Sequence, residues 1–469
     1  MEKEKSENFI NVEQMDTDDS KNENFIQNKK KYILRGIISI ISCIIHTCGY
    51  YSVFLLRHTV VYLISFRKRY NQNLTFAHGY FLFPIMSFIL AISIPVGGII
   101  EYKIGSKKTI ALSTSIICFS FFIMYFSRNL YIDYILMGFI GFGMALGLKI
   151  TKRNACSYFM NKKALISGSI TLIASFISAG ISYFYEKYIL NPFSESPTIE
   201  GEYYEERIYL NIQKLIILEI VYMIFTCLIC LVIFYKNDPN ETIKFGFGEK
   251  QKQINEKEKK IVKNDENKKL KLKKALFNKR TIKLFFMLLT FFPMINFINN
   301  TWRPIGIYYK IKTYHLQMIG SLLSIVHCFS GLLFSFIGDQ IQFRTIFCSF
   351  SLILTIISFI FPLSFNKDIL FILGILIVEF VHKGFNIIID PHIMIVFGME
   401  NFVETTGVIR SSSGFAEIIS IIFAFYLENF FTGNKDFTYK FMYLISCFSS
   451  LISFILGLFE NDDKFNYEN

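Results

Sequence analysis

Long apolar runs recur along the 469-residue chain, separated by short polar breaks. They fall near residues 32–56, 76–100, 108–127, 131–150, 164–186 and 211–235. After a polar interval they resume near 282–302, 317–338, 343–364, 369–397, 403–431 and 438–459. Most match the roughly 20 residues of helix that cross a hydrocarbon layer of about 30 Å. Helix is the reading for each run, because lipid offers no partner to an open strand edge. The pattern predicts an all-α polytopic membrane protein, with 12 transmembrane helices in two six-helix bundles. Its parts are an N-terminal tail (1–31), a first bundle (32–235), a charged linker (236–281), a second bundle (282–460) and a short tail (461–469).

Composition supports this layout. Hydrophobic residues make up 52% and charged residues 18% of the chain, against about 25% charged in a typical soluble domain. The net charge of +12 does not point to nucleic acid, because the Lys-rich stretch 250–274 alternates with Glu and Asn and reads as a solvated linker. Almost all of the nine cysteines fall inside apolar runs, so neither a disulfide framework nor a zinc site is expected, the CxxC spacing of Cys227 and Cys230 included. Some 30 polar residues precede the first apolar run, and no signal peptide is expected. Phosphate-cradling loops, HExxH, GxSxG and a plausible dinucleotide fingerprint are all missing, so no enzymatic activity, metal or cofactor is anticipated. With the N-terminus placed in the cytoplasm, most of the 49 basic residues fall in cytoplasmic segments, including the breaks at 101–109 and 149–163. Arg57, Arg67, Lys68 and Arg69 run against that rule.

Charges inside a bilayer are costly and usually pair or line a pathway. Helices three, nine and twelve carry none in their interiors, and helix six carries Glu219. Helix ten places Glu379, His382, Lys383, Asn386 and Asp390 on one stripe, at offsets of 0, 3, 4, 7 and 11. Two readings compete there: a solute- or proton-facing stripe, or a Glu379–Lys383 pair that neutralises itself. Helix eleven puts Arg410 on the face of Gly407 and Gly414, where small residues would leave room for a solute. A guanidinium suits bidentate carboxylate recognition. His327 in helix eight can change charge near neutral pH. Asn296, near the end of helix seven, could add a polar contact. Gly143 and Gly147, four apart in helix four, read as close helix packing.

The break after helix two, Gly98-Ile99-Ile100-Glu101-Tyr102-Lys103-Ile104-Gly105-Ser106-Lys107-Lys108, resembles the signature loop of the major facilitator superfamily. Its charges would bridge helix ends in one conformation and release them in another. The usual acid of that loop falls at Tyr102, with Glu101 one place early. A degenerate counterpart in the second half includes Gly338, Asp339 and Arg344. The segments 141–168 and 397–414, with Gly49 to Phe54, are similar to monocarboxylate transporters and oxalate/formate antiporters. In helix eight the acid and Arg of monocarboxylate carriers fall at His327 and Gly331, so the usual substrate Arg is missing. The oxalate-type cation in helix eleven falls at Ser413, one turn from Arg410. Arg57 lies within one residue of the Lys that ends the relatives' first helix.

The resemblance implies a carrier working by alternating access and moving a small carboxylate-bearing organic solute, monocarboxylate-like, with symport of protons. Arg410, His327, Lys383, Asn296 and Arg57 are the candidates for solute binding, and Glu379, His382 and Asp390 for proton coupling. Gly98, Glu101, Lys103, Gly105, Lys107, Asp339 and Arg344 form the conformational loop motif. The expected partners are the solute, an organic anion, the lipid bilayer and protons, with no nucleic acid. A carrier of another solute, such as amino acids or pantothenate, and a non-transporting membrane sensor or scaffold are the competing readings. Both termini are expected in the cytoplasm.

Overall fold

The computed structural model describes residues 2–55, 59–72, 74, 76–79, 81–159, 162–192, 204–237, 277–338, 340–398, 402–430 and 435–460. Arg57, Asp339, most of the charged linker and the tail after Glu460 lie outside the described residues.

Among the described residues, twelve long helices account for the apolar runs. They are α1 (Glu2–Leu55), α2 (Leu82–Ile104), α3 (Ser106–Phe126), α4 (Leu130–Tyr158), α5 (Lys163–Phe184), α6 (Asn211–Ile233), α7 (Lys279–Tyr308), α8 (Thr313–Ile337), α9 (Phe343–Ile360), α10 (Asp368–Val396), α11 (Phe402–Phe430) and α12 (Lys435–Leu458). Among the described residues, ten segments are long and apolar enough to cross a membrane, and α8 adds the shorter apolar stretch Ile325–Ile337.

The helices expose apolar side chains outward. Large apolar side chains of α3 (Phe119, Phe122), α9 (Ile356, Phe359) and α12 (Phe448, Ile452) are exposed. On a water-soluble protein that much exposed apolar surface would be a liability, whereas in a bilayer it is the lipid-facing coat. The helices without interior charge, α3, α9 and α12, share in this coat. Among the described residues, two main cores lie behind this coat. One gathers residues between Tyr50 and Met223 and the other mostly residues between Leu284 and Tyr443, so each half packs on itself.

The halves meet through α2 against α11 and α5 against α8. Both seams use glycine. A Cβ at Gly407 would strike the Pro95 ring, and Gly414 rests on Ala91 and the backbone of Phe88. Gly331 faces Leu172, and Gly338 faces Ala164. The expectation that Gly407 and Gly414 leave room for a solute is therefore corrected: their missing side chains let α2 approach α11.

At the far end of the first half, the short helix Val60–Lys68 carries Arg67 into full burial. Its Nε donates to Asp133 Oδ2 at 2.6 Å and its Nη2 to Asp133 Oδ1 at 3.0 Å. Nη2 also donates to the Met124 carbonyl and Nη1 to the Ser127 carbonyl. One of the cations that broke the positive-inside pattern is thus neutralised inside the protein.

Candidate functional site

The apolar run of helix four ends near residue 150, but the helix does not. The Asn129 side chain caps its start by accepting from Tyr131 N, and α4 continues to Tyr158 with no Gly or Pro to interrupt it after Gly147. Residues 149–158, expected in a loop, are thus its last turns. Lys149 and Lys152, three apart and hence on one face, are carried into the seam between the halves.

Both lysines meet Asp390 of α10. Lys149 Nζ lies 2.8 Å from Oδ2 and 3.1 Å from Oδ1, and Lys152 Nζ lies 2.9 Å from Oδ2. From α11, Arg410 Nη2 approaches Asp390 Oδ1 at 2.9 Å. The same guanidinium donates to Asn386 Oδ1 at 2.9 Å and to the Asn386 carbonyl at 3.2 Å. One carboxylate thus faces three cations drawn from both halves. The acid is fully enclosed, whereas the side chains of Lys152 and Arg410 stay 13% and 17% exposed. The accessible part of the cluster is positive. Tyr51 of α1 sits in the field of Lys152 and Arg410.

A second polar group lies eleven residues back along α10, roughly 16 Å at 1.5 Å per residue. Glu379 Oε2 is 2.9 Å from His327 Nε2 of α8 and 3.3 Å from His382 Nδ1, one turn on. Glu379 is buried and both histidines are partly so. Lys383 lies near enough to His327 to act on it electrostatically. The helix-ten stripe therefore divides. Asn386 and Asp390 engage Arg410, while Glu379 engages both His327 and His382. Asn296 Nδ2 reaches the Ser413 carbonyl at 3.5 Å, a link from α7 to α11. Glu219, fully buried in α6, accepts from Ser52 and, at 3.3 Å, from the Tyr185 hydroxyl.

The turn after α2 is held by Glu101. Its Oε1 accepts from Ser106 Oγ at 2.7 Å and from Arg153 Nη2 at 2.5 Å. Tyr102, in the place of the family's usual acid, points outward at 73% exposed. Glu101, one residue early, thus makes the bridge to α4. Gly105 takes φ +87°, a region L side chains rarely adopt, where α2 ends and α3 begins. Gly98 is buried, while Lys103, Lys107 and Arg344 are exposed.

Lys149, Lys152 and Arg153 were not foreseen as site residues. The signal was present in their i, i+3 and i+4 spacing, continuous with the helical pattern. It was masked by the positive-inside rule, which reads a basic cluster at the end of an apolar run as cytoplasmic.

A family model described as Major Facilitator Superfamily matches residues 217–421. Solved structures match nearly the whole chain. The E. coli fucose:proton symporter FucP superposes with a TM-score of 0.59 at 11% identity, covering 91% of this chain and 98% of that one. The proton:xylose symporter XylE, bound to 6-bromo-6-deoxy-D-glucose, gives 0.60 at 11% identity over 91% and 95%. The fold is that of the major facilitator superfamily. The human organic anion transporter MFSD10 has the same architecture, with a TM-score of 0.62 at 9% identity over 91% and 99%. No curated protein matches the chain in sequence. The chain is a multi-pass integral membrane protein whose fold is one of transporters. The monocarboxylate and oxalate/formate resemblance has no counterpart among these matches.

Proposed function

We propose that this protein is a secondary carrier that moves a small carboxylate-bearing organic solute by alternating access between its two halves. The observation that carries the reading is the cluster of Lys149, Lys152 and Arg410 around Asp390, which puts accessible positive charge where the halves meet. Uncompensated charge in a low-dielectric seam is costly, so such a cluster favours an anion as its visitor. MFSD10, which shares the fold, is an organic anion transporter by its own description. The symporters of that fold make proton coupling a natural companion. Glu379, held between His327 and His382, is the group we assign to it, with Asp390 serving as counter-ion. With both termini read as cytoplasmic from the distribution of Lys and Arg, the cluster lies toward the cytoplasmic side and Glu379 nearer the midplane.

The test is uptake and counterflow in proteoliposomes. Lactate, pyruvate, formate, oxalate, pantothenate and amino acids are compared with and without a pH gradient. Saturable counterflow of at least one carboxylate, absent with neutral sugars, is the expected result. Carriage of neutral solutes alone would overturn the reading. The absence of any counterflow would favour a sensor or scaffold.

A further inference from the structure

The charges around Asp390 do not balance. Lys149 and Lys152 come from one half and Arg410 from the other, against a single carboxylate. Arg153, the next cation along α4, is already matched by Glu101. Among the described side chains, the next acids along the two helices are Glu417, about 10 Å from Arg410, and Glu379, about 16 Å from Asp390 along the helix. Among the described side chains the local surplus is therefore two positive charges, and those that keep accessible surface are cations.

We infer that the seat in this seam is built for a dianion, a solute with two negative charges, rather than for the monoanion that a monocarboxylate carrier would take. The inference rests on the carrier reading above and sharpens its substrate class. A monoanion would leave one buried cation unmatched, whereas a dianion completes the pairing. The geometry suits two oxyanion ends. Arg410 presents a planar fork able to grip one, and Lys149 and Lys152 present two point charges from the opposite half for the other. A dianion would then be bonded to both halves at once, while a monoanion would satisfy only one. Dicarboxylates and phosphate monoesters share this chemistry.

The experiment uses the full chain in proteoliposomes at pH 7.5, loaded with unlabelled solute. Exchange of labelled succinate and glycerol 3-phosphate is compared with that of lactate and pyruvate. At least one dianion should exchange with an apparent affinity roughly tenfold to a hundredfold tighter than either monoanion, the scale of one charge-assisted contact. The better of the two dianions separates the dicarboxylate from the phosphate source. Lys152→Gln, which lowers the surplus by one, should bring the dianion-to-monoanion ratio close to one, and Lys152→Arg should restore it. Ligand-induced thermal stabilisation of the wild-type protein by the same four solutes gives a readout that needs no variant to fold, and it should show the same order. Equal or tighter exchange of lactate and pyruvate would overturn the inference and leave the carrier reading intact. No exchange of any anion would overturn both.

Discussion

At the scale of single residues, the buried ion pairs differ in kind. Arg67 and Asp133 form a closed unit, with equal charge and further bonds to two carbonyls. Removing one partner leaves the other charge buried and unmatched. Arg67→Ala should therefore destabilise the protein by about 3–5 kcal/mol, read as a large fall in melting temperature of the detergent-solubilised chain. A melting temperature within a degree of wild type would show that water reaches Asp133. The Asp390 cluster is open by contrast. In Arg410→Gln the carboxylate keeps two lysines, so the fold should survive while solute affinity falls roughly tenfold to a hundredfold. Arg410→Lys keeps the charge but loses the fork onto Asn386, and should sit between. Unchanged affinity in Arg410→Gln, at normal insertion, would remove Arg410 from the seat. Arg410 and Asp390 were legible in the sequence as intramembrane charges; Asp390 as their shared anchor was not, because its partners lie on α4 and α11 and no spacing within α10 reveals them.

At the scale of elements, the bilayer made the helices legible. A slab of nearly constant thickness cuts apolar runs to a nearly constant length, and this signal survives without knowledge of packing. Helix ends were less legible because charges there have two fates. Lys149, Lys152 and Arg153 stay in a helix and turn inward, while Lys103 and Lys107 flank the Gly105 turn and face out. The start of α2 moved for a related reason: residues 76–79 form a short helix of their own before α2 begins at Leu82. Glu460, just past α12, shows how an element end is secured. Its carboxylate lies 2.9 Å from Arg280 Nε and 2.8 Å from Lys283 Nζ of α7, and 3.8 Å from His392 Nε2 of α10. Burial alone would raise its pKa, but the neighbouring His392 and Lys283 and the charge of Arg280 outweigh burial and hold it at about 2. A depressed carboxylate stabilises the fold above its unfolded value near 4.5 and loses that contribution as pH falls through 2. Glu460→Gln should thus melt lower than wild type at pH 7, with the gap closing as pH falls from about 4.5 toward 2. A gap independent of pH would mean that the side chain's packing, not its charge, secures α12.

At the scale of the whole molecule, the two-bundle layout followed from counting runs on either side of the linker, and the two main cores each draw mostly on one half. The seams between them were not legible, because Gly407, Gly414 and Gly331 look the same in sequence whether they admit a neighbouring helix or a solute. Gly407→Val should drive α2 and α11 apart at Pro95 and depress transport more than insertion into the membrane. Normal turnover in that variant would show that the seam yields easily. The bundles' charge has a consequence for the membrane voltage. If a seat with two unmatched positive charges changes sides without its dianion, those charges move through the electric field, at about 2.3 kcal/mol per elementary charge per 100 mV for a full crossing. With the dianion aboard they are cancelled. The return of the empty protein should then respond steeply to an imposed potential, while one-for-one exchange of dianions stays nearly indifferent to it. Potassium-gradient clamps on the same proteoliposomes would separate the two, and an equal voltage response in both modes would show that the seat's charge stays on one side throughout the cycle.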